Sequence, residues 1–263
     1  MVGQEFGQKN MRYEFNGFCP ICEAPGTFVA EREDEVDASA LPGWFRGSLK
    51  CTVCRAPPRE RIIADALAKL RPNWRDLSIH ESSPGGWAFS YNLKRECSGY
   101  VPSQYDPTFP FGDMDPSGKW RNEDLEAQTF ADNTFDVVIT QDVFEHVFHP
   151  GRAMREIGRT LKPGGVAVMT VPVVRGWGKT ERRAALVNGE VVHILPPQYH
   201  GNPVGDGRAL VTVDWSYHIG SYLAEQSGLS VCVSTVNDLT NGIQDPFNTL
   251  IVAHKAAPVS LDE

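Results

Sequence analysis

Four cysteines arranged in two close pairs are the residues of this sequence that most clearly specify a chemistry. Cys19 and Cys22 lie in CPIC, and Cys51 and Cys54 lie in CTVC. A gap of two residues lets two thiolates of one turn bind the same ion, and two such turns complete a tetrahedral four-cysteine zinc site. Because protein fills all four positions, the predicted Zn²⁺ is structural. The alternative is two unrelated pairs or two disulfides.

Composition and charge limit the functions that the remaining residues can serve. The chain has 263 residues, of which 41% are hydrophobic and 22% charged, as in an ordinary globular protein. Its net charge is −8 at pH 7, and its arginines and lysines are interspersed with acids. Proteins that bind nucleic acid usually carry a basic surface, so a nucleic-acid partner is not expected.

The sequence also predicts a cellular location. No stretch approaches the roughly 18 apolar residues of a membrane helix, and residues 1–18 lack the apolar centre of a signal peptide. We therefore expect a cytoplasmic protein without a membrane partner. Thiols stay reduced in that compartment, which disfavours the disulfide alternative for the two cysteine pairs.

Alternating helix and strand patterns must position any catalytic residues. Apolar residues at helical spacing predict a helix in RERIIADALAKLRP (59–72). Further helices are predicted at 88–97, 150–161 and 215–228, and strands at 76–80, 99–105, 135–140, 164–172, 229–236 and 248–255. Residues 173–213 are rich in Gly, Pro and His, and we expect a long irregular connection of the kind that often carries function. The alternation is typical of a parallel α/β sheet.

One stretch of the chain resembles a known family. Residues 135–172, FDVVITQDVFEHVFHPGRAMREIGRTLKPGGVAVMTVP, closely resemble the middle of class I S-adenosylmethionine-dependent methyltransferases of type 11. The shared features are the FD-V-V strand, the EH pair, the REI-R-LKPGG helix and turn, and a strand ending near Pro. The resemblance implies a Rossmann-like seven-stranded sheet with an antiparallel last strand over 58–263. The cysteine pairs would form a small zinc ribbon over 1–57.

The resemblance also implies where S-adenosylmethionine would bind. The cofactor positions are His80, Glu81, Ser82, Ser83, Gly85 and Gly86 after the first strand, Ser103 and Gln104 at the second, Asp124 and Leu125 in the adenine loop, and Gln141, Asp142 and Val143 after the fourth. The first loop departs from the family because HESSPGG replaces a glycine-rich turn. Glycines let a backbone approach a ligand closely. The alternatives to a retained cofactor site are an altered cofactor pose or lost activity. For Asp124, the alternative is a helix N-cap or a solvated acid.

Three residues are the expected catalytic groups. The family places the segment containing His146 beside the methyl group, and Tyr199 and His200 lie in a loop where this fold carries substrate-binding insertions. A histidine titrates near neutral pH and suits a general base. The competing interpretation is structural: His146 would pack against or cap the next helix, and His200 would belong to a loop held by Pro and Gly.

These observations predict a methyltransferase acting on a small molecule such as a sugar, a carbohydrate intermediate or a secondary metabolite. The first alternative is an RNA-modifying methyltransferase whose zinc ribbon grips RNA, although the expected basic surface is missing. The second is a catalytically silent methyltransferase-like scaffold or binding subunit, which the altered first loop would explain.

Overall fold

The structure, a computed structural model, describes residues 11–32, 41–86, 88–202 and 204–258. Parts of the predicted ribbon segment, residues 1–10 and 33–40, lie outside these ranges. Within the described ranges, every helix is too short or too polar to span a lipid bilayer.

The N-terminal segment folds into a small antiparallel sheet that carries the four cysteines. Its elements are β1 (Met11–Cys19), β2 (Ala24–Arg32), α1 (Leu41–Ser48) and β3 (Lys50–Cys51). β2 is the central strand and pairs antiparallel with both β1 and β3. The CPIC turn ends β1, and the CTVC turn follows β3, which brings the two cysteine pairs to one end of this sheet.

A second, larger sheet forms the body of the molecule. Its first half contains α2 (Pro58–Leu70), β4 (Ser78–Ser82), α3 (Ala88–Glu96), β5 (Gly99–Gln104), β6 (Arg121–Asn122), β7 (Phe135–Gln141), α4 (Pro150–Thr160) and β8 (Leu161–Thr170), with a short 3₁₀ helix at Trp74–Asp76. The neighbouring strands β6, β5, β4, β7 and β8 run parallel. The predicted helices and strands of this half are confirmed, with ends that differ by at most three residues.

Residues 181–214 contain short antiparallel pairs where an irregular connection was predicted. β9 (Glu181–Arg182) pairs with β14 (Val213–Asp214), β10 (Ala184–Val187) with β11 (Glu190–His193), and β12 (Tyr199–Gly201) with β13 (Arg208–Leu210). Asn188 and Gly189 both have positive φ at the turn of the β10–β11 hairpin. Asn-Gly is the dipeptide that such two-residue hairpin turns favour, and this signal was missed.

The C-terminal elements complete the large sheet. They are α5 (Ile219–Ser227), β15 (Ser230–Thr235), a 3₁₀ helix at Leu239–Asn241, and β16 (Thr249–His254). The helix predicted over 215–228 begins at Ile219 and closes at Gly228 as predicted, with Gly228 in the left-handed conformation. β16 is antiparallel to both β8 and β15, and the strand order is β6-β5-β4-β7-β8-β16-β15. The predicted Rossmann-like seven-stranded sheet with an antiparallel last strand is confirmed.

Apolar side chains cover both faces of this sheet. On one face, α4 and α5 pack through residues such as Met154, Ile157 and Leu223. On the other face, the core includes α2 and α3 and continues without interruption into the cysteine sheet, where Phe28 and Cys51 are fully buried. The two sheets therefore share one hydrophobic core.

Candidate active site at the carboxyl ends of the strands

The buried carboxylate of Glu81 organises the end of β4. It accepts hydrogen bonds from the Ser90 hydroxyl on α3 (3.0 Å), the Tyr100 hydroxyl on β5 (2.6 Å) and the Gln141 amide on β7 (2.8 Å). Burial raises the pKa of Glu81, and the three donors oppose that rise because they stabilise the charged form. One predicted cofactor residue thus joins three elements around the point where open α/β sheets bind ligands.

The loop after β4 is short and fixed to the neighbouring strand. The backbone N–H of Ser83 donates to the Ser103 carbonyl (2.7 Å), and the Gln104 side-chain amide donates to the Pro84 carbonyl (2.9 Å). Ser83 and Gly86 have φ values of 55° and 70°. Ser83 therefore adopts the left-handed conformation that favours glycine, so this loop keeps a glycine-like backbone without the glycine.

His80 is the central residue of β4 and has no exposed surface. Its Nε2 hydrogen-bonds the Ser103 hydroxyl at 2.8 Å, and its ring packs between Phe130 and Phe135 with centroid distances of 4.9 Å and 5.1 Å. Burial lowers the pKa of His80 to about 3, so the imidazole is neutral at physiological pH. His80, Ser82 and Ser103 are all buried.

The predicted adenine loop follows β6. Asp124 accepts a hydrogen bond from the Glu126 backbone N–H through Oδ1 (2.8 Å), which makes a tight turn. Leu125 is buried, and the backbone of Glu123 donates to the Gln104 carbonyl (2.9 Å). Burial raises the pKa of Asp124. The loop is therefore attached to the end of β5, next to the loop that follows β4.

Asp142 links the end of β7 to helix α1 of the N-terminal segment. Its φ is 52°, its Oδ1 accepts from the Thr170 hydroxyl (3.0 Å), and its Oδ2 pairs with the Arg46 guanidinium (2.5 Å). Arg46, on α1, also pairs with the buried Asp245 (3.3 Å). Val143 is buried directly after Asp142. Sequence reasoning missed Arg46, because nothing local relates it to a carboxylate 96 residues away.

Glu145, His146 and His200 form a second polar group beside this site. Glu145 Oε1 lies 3.8 Å from His146 Nε2 and 3.8 Å from His200 Nδ1. Burial raises the pKa of Glu145 well above its ordinary value, and Asp142 raises it further. Burial lowers the pKa values of both histidines. The structure thus brings two of the three predicted catalytic residues together, with a carboxylate that was not predicted although it precedes His146 in the sequence.

Tyr199, the third predicted catalytic residue, is placed differently. It neighbours His200 on β12, and successive side chains of a strand point to opposite faces. Its ring is packed under the Arg208 guanidinium, 4.9 Å from the ring centroid, and 45% of the residue is exposed. Tyr199 is therefore not part of the group formed by Glu145 and the histidines.

The four cysteines of the N-terminal sheet converge as predicted. All four Sγ atoms lie within 4.8 Å of one another, with Cys19 and Cys54 3.7 Å apart and Cys22 and Cys51 3.9 Å apart. None of the four forms a disulfide. Zn–S bonds of about 2.3 Å in a tetrahedron place sulfur atoms about 3.8 Å apart, which matches these separations.

Arg61 supplies a buried positive charge near this cluster. The residue has no exposed surface, and its guanidinium donates to backbone carbonyls of Leu49, Ala56 and Gly242. Burial lowers the pKa of Arg61 to about 10, and the nearby cysteines oppose that fall. A dication held by four thiolates carries a net charge of −2, so a neighbouring guanidinium would offset half of it. Sequence reasoning did not identify Arg61.

Comparisons with known proteins identify a methyltransferase segment in this chain. Residues 111–169 match a family model described as a methyltransferase domain. Ubiquinone biosynthesis O-methyltransferase of Caulobacter vibrioides is 38% identical over 66 residues, which are 25% of either chain. The uncharacterized protein YafE of Escherichia coli is 50% identical over 40 residues, which are 15% of this chain and 19% of YafE. The matches thus span about a quarter or less of these curated relatives.

Solved structures of methyltransferases are also similar to this chain. An S-adenosylmethionine-dependent methyltransferase from Mesorhizobium loti has a TM-score of 0.48 at 16% identity, covering 74% of this chain and 98% of that one. The Burkholderia thailandensis 1,6-didemethyltoxoflavin-N1-methyltransferase, with bound S-adenosylhomocysteine, has a TM-score of 0.42 at 15% identity, covering 75% and 79%. Residues 111–169 thus match a methyltransferase domain, and the strand order β6-β5-β4-β7-β8-β16-β15 is the one expected of the predicted Rossmann-like sheet.

Proposed function

We propose that this protein transfers a methyl group from S-adenosylmethionine to a small molecule. The observation that carries the proposal is the pairing of two polar groups at the carboxyl end of the sheet. One surrounds Glu81 and the loop after β4, which suits the cofactor. The other contains Glu145, His146 and His200, which suits an acceptor.

The cofactor half uses groups that are already held in place. The loop from Ser83 to Gly86 would hold the methionine part, with Gln104 beside it, and Asp124 and Leu125 would contact the adenine. S-adenosylmethionine supplies an activated methyl group when bound. Because hydrogen bonds to β5 and β7 fix these groups before binding, positioning contributes directly to the rate.

The acceptor half provides a proton acceptor. S-adenosylmethionine, when bound, would supply the methyl group as its carbon–sulfur bond breaks and the electron pair stays on sulfur. His146 Nε2 would take up the proton that the acceptor oxygen or nitrogen releases. That nitrogen carries a lone pair, because Nδ1 donates its proton to the Leu210 carbonyl at 2.9 Å and burial keeps the ring neutral. His200 lies on the other side of Glu145 and is the second candidate base.

Charge and the insertion favour a small acceptor. The net charge of −8 is unfavourable for a long polyanion such as RNA. The β12–β13 hairpin brings His200 to the site, so the insertion between β8 and α5 would form one wall of the acceptor pocket. The Caulobacter relative is named as an O-methyltransferase of ubiquinone biosynthesis, which favours an oxygen acceptor here too.

A structural Zn²⁺ at Cys19, Cys22, Cys51 and Cys54 is the second part of the proposal. The sulfur separations suit a tetrahedral ion, and a fully protein-filled shell leaves no position for substrate. Its role would be to hold α1 against the sheet, where Arg46 reaches Asp142.

Calorimetric titration with S-adenosylhomocysteine tests the cofactor half, with metal content measured on the same sample. We expect micromolar binding at one site per chain and one zinc in the cysteine cluster. A folded, zinc-loaded protein that binds neither S-adenosylhomocysteine nor S-adenosylmethionine would instead be a silent scaffold. If binding is found, an acceptor screen with small hydroxylated molecules follows, with a transfer RNA mixture as the comparison substrate.

A further inference from the structure

We propose that Glu145, His146 and His200 bind one divalent transition-metal ion, at a site separate from the four cysteines. These are the described residues, other than the cysteines, whose histidine, cysteine or carboxylate atoms converge closely enough to hold an ion. Binding of the ion does not depend on the proposed function. A role for the ion in methyl transfer does rest on the proposed function.

The geometry of the three groups is close to that of a metal site. Their potential ligand atoms lie within 4.8 Å of one another, and the Glu145 oxygen is 3.8 Å from a nitrogen of each ring. The rings are nearly perpendicular, at 89°, with centroids 5.0 Å apart. Metal bonds of about 2.1 Å require ligand atoms about 3.0–3.4 Å apart, so the groups must close by about 1 Å. His200 is only half-buried and has room for this movement.

One ring nitrogen of His146 and the carboxylate oxygens of Glu145 are available to an ion. His146 Nδ1 donates to the Leu210 carbonyl at 2.9 Å, so Nε2 presents its lone pair towards Glu145. Ligand histidines commonly have their second nitrogen held in this way. Glu145 is 2% exposed, and neither carboxylate oxygen has a hydrogen-bond partner among the described residues. A buried carboxyl group without partners is costly in its charged form unless a proton or a cation compensates it, and a bound cation would displace the proton.

The surrounding charges also leave a deficit that an ion would fill. Asp142, Asp245 and Glu145 are three carboxylates in one region, and Arg46 and Arg59 are the arginines facing them. Arg46 is engaged by Asp142 and Asp245, and Arg59 lies 4.0 Å from Asp142. Neither guanidinium hydrogen-bonds Glu145. The carboxylate that lacks a cation is therefore the one that faces both histidines.

The ligand types select the metal. Two imidazoles and one carboxylate suit Zn²⁺, Fe²⁺, Co²⁺ or Ni²⁺ better than Mg²⁺ or Ca²⁺, which prefer oxygen ligands. Three protein ligands leave positions open for an exogenous oxygen. If the proposed function is correct, that oxygen belongs to the acceptor, and the ion would lower the pKa of its hydroxyl group. The two histidines would then act as ligands instead of proton acceptors.

Titration of the zinc-loaded, tag-free protein with Ni²⁺ by calorimetry tests this site. We expect one Ni²⁺ per chain, with electronic spectra typical of nitrogen and oxygen ligands and without thiolate charge transfer. Glu145→Gln and His200→Gln should each weaken Ni²⁺ binding at least tenfold. His193→Gln is the matched control, because His193 is an exposed histidine of the neighbouring hairpin strand β11, and it should leave binding unchanged.

Two results would overturn the site. One is a wild-type protein that binds none of Ni²⁺, Zn²⁺ and Fe²⁺ beyond the ion in the cysteine cluster. The other is His193→Gln weakening binding as much as His200→Gln, which would indicate nonspecific surface binding. Far-ultraviolet circular dichroism shows whether each variant folds. If the His200 variant does not fold, the Glu145 variant still tests the site. A separate measurement of S-adenosylhomocysteine affinity distinguishes a failure of the proposed function from a failure of the metal site.

Discussion

His80 illustrates, at the scale of one residue, what a sequence position does not specify. It lies in β4, among the residues that the family resemblance assigns to the cofactor, but its ring is enclosed by Phe130 and Phe135. Phe130 is distant in sequence, and only the completed sheet brings it over β4. Glu81, one residue later, points to the other face of the strand and meets three donors. Strand alternation separates the two roles, but the sequence alone does not say which face carries the ligand.

Substitution of His80 should change how stability depends on pH. The folded-state pKa is about 3 and the ordinary value is 6.5, so the unfolded chain takes up a proton between these pH values and the folded chain does not. The wild type therefore loses stability as pH falls from 6.5 towards 3, by about 1 kcal/mol per pH unit from this residue. In His80→Gln that contribution is absent, and urea unfolding at several pH values measures the difference in slope.

The comparison must be made between variants, because other groups act in the opposite direction. Burial raises the pKa of Glu60 to about 7, so this residue favours the folded state more at low pH. His193→Gln is the control and should keep the wild-type slope, since His193 is exposed on β11. Equal slopes for the wild type and His80→Gln would mean that His80 is protonated in the folded protein.

The loop after β4 is the element on which cofactor binding depends most. Gly86 has positive φ, and a Cβ atom added there would meet nothing within 4 Å. In Gly86→Val the side chain would occupy the space above the strand ends, and we expect S-adenosylhomocysteine affinity to fall at least tenfold. Gly189→Val is matched, because Gly189 also has positive φ and open space but lies at the tip of the β10–β11 hairpin.

Both glycine variants should lose a similar amount of stability, about 1–2 kcal/mol, because valine is strained in the left-handed conformation. Only the Gly86 variant should lose affinity, as calorimetry with S-adenosylhomocysteine will measure. Equal dissociation constants for the two variants would place the cofactor away from this loop.

Helix α1 contributes to the site through a contact that the sequence could not reveal. The order of the large sheet follows from strong local periodicity and from the resemblance over 135–172. The docking of α1 follows instead from Arg46 meeting Asp142 and Asp245, which are 96 and 199 residues away. The short pairs of 181–214 were missed because strands of two to four residues are too brief for periodicity to detect.

A double-mutant cycle measures this docking contact. Arg46→Met leaves the buried carboxylate of Asp245 without its cation, and we expect a loss of about 1–3 kcal/mol in the free energy of unfolding by urea. Asp245→Asn in the same chain should recover part of it, since the uncompensated charge is then gone. Arg12→Met, which removes exposed ion pairs with Glu14 and Glu31, should cost much less, because solvent screens both pairs. Strict additivity of Arg46→Met and Asp245→Asn would show that the pair contributes nothing to docking.

At the scale of the whole molecule, one hydrophobic core continues across the domain boundary predicted at residue 57. Phe28 of the cysteine sheet and Ile79, Val137 and Val168 of the large sheet belong to one buried cluster. Arg61 crosses the same boundary, because it donates to Leu49 on one side and to Gly242 on the other. Loss of order around the cysteines should therefore lower the stability of both sheets.

Disruption of the cysteine cluster tests this coupling. Cys51→Ser removes a fully buried thiol, and we expect loss of the metal and a fall in Tm of about 10 °C or more, measured by calorimetry. The fall should appear as a displacement of a single cooperative transition, since both sheets share a core. Cys232→Ser, at an exposed thiol on β15, should retain the metal and the wild-type Tm. Full metal content in Cys51→Ser would contradict the four-cysteine site, whereas metal loss with an unshifted main transition would mean that the cysteine sheet unfolds independently.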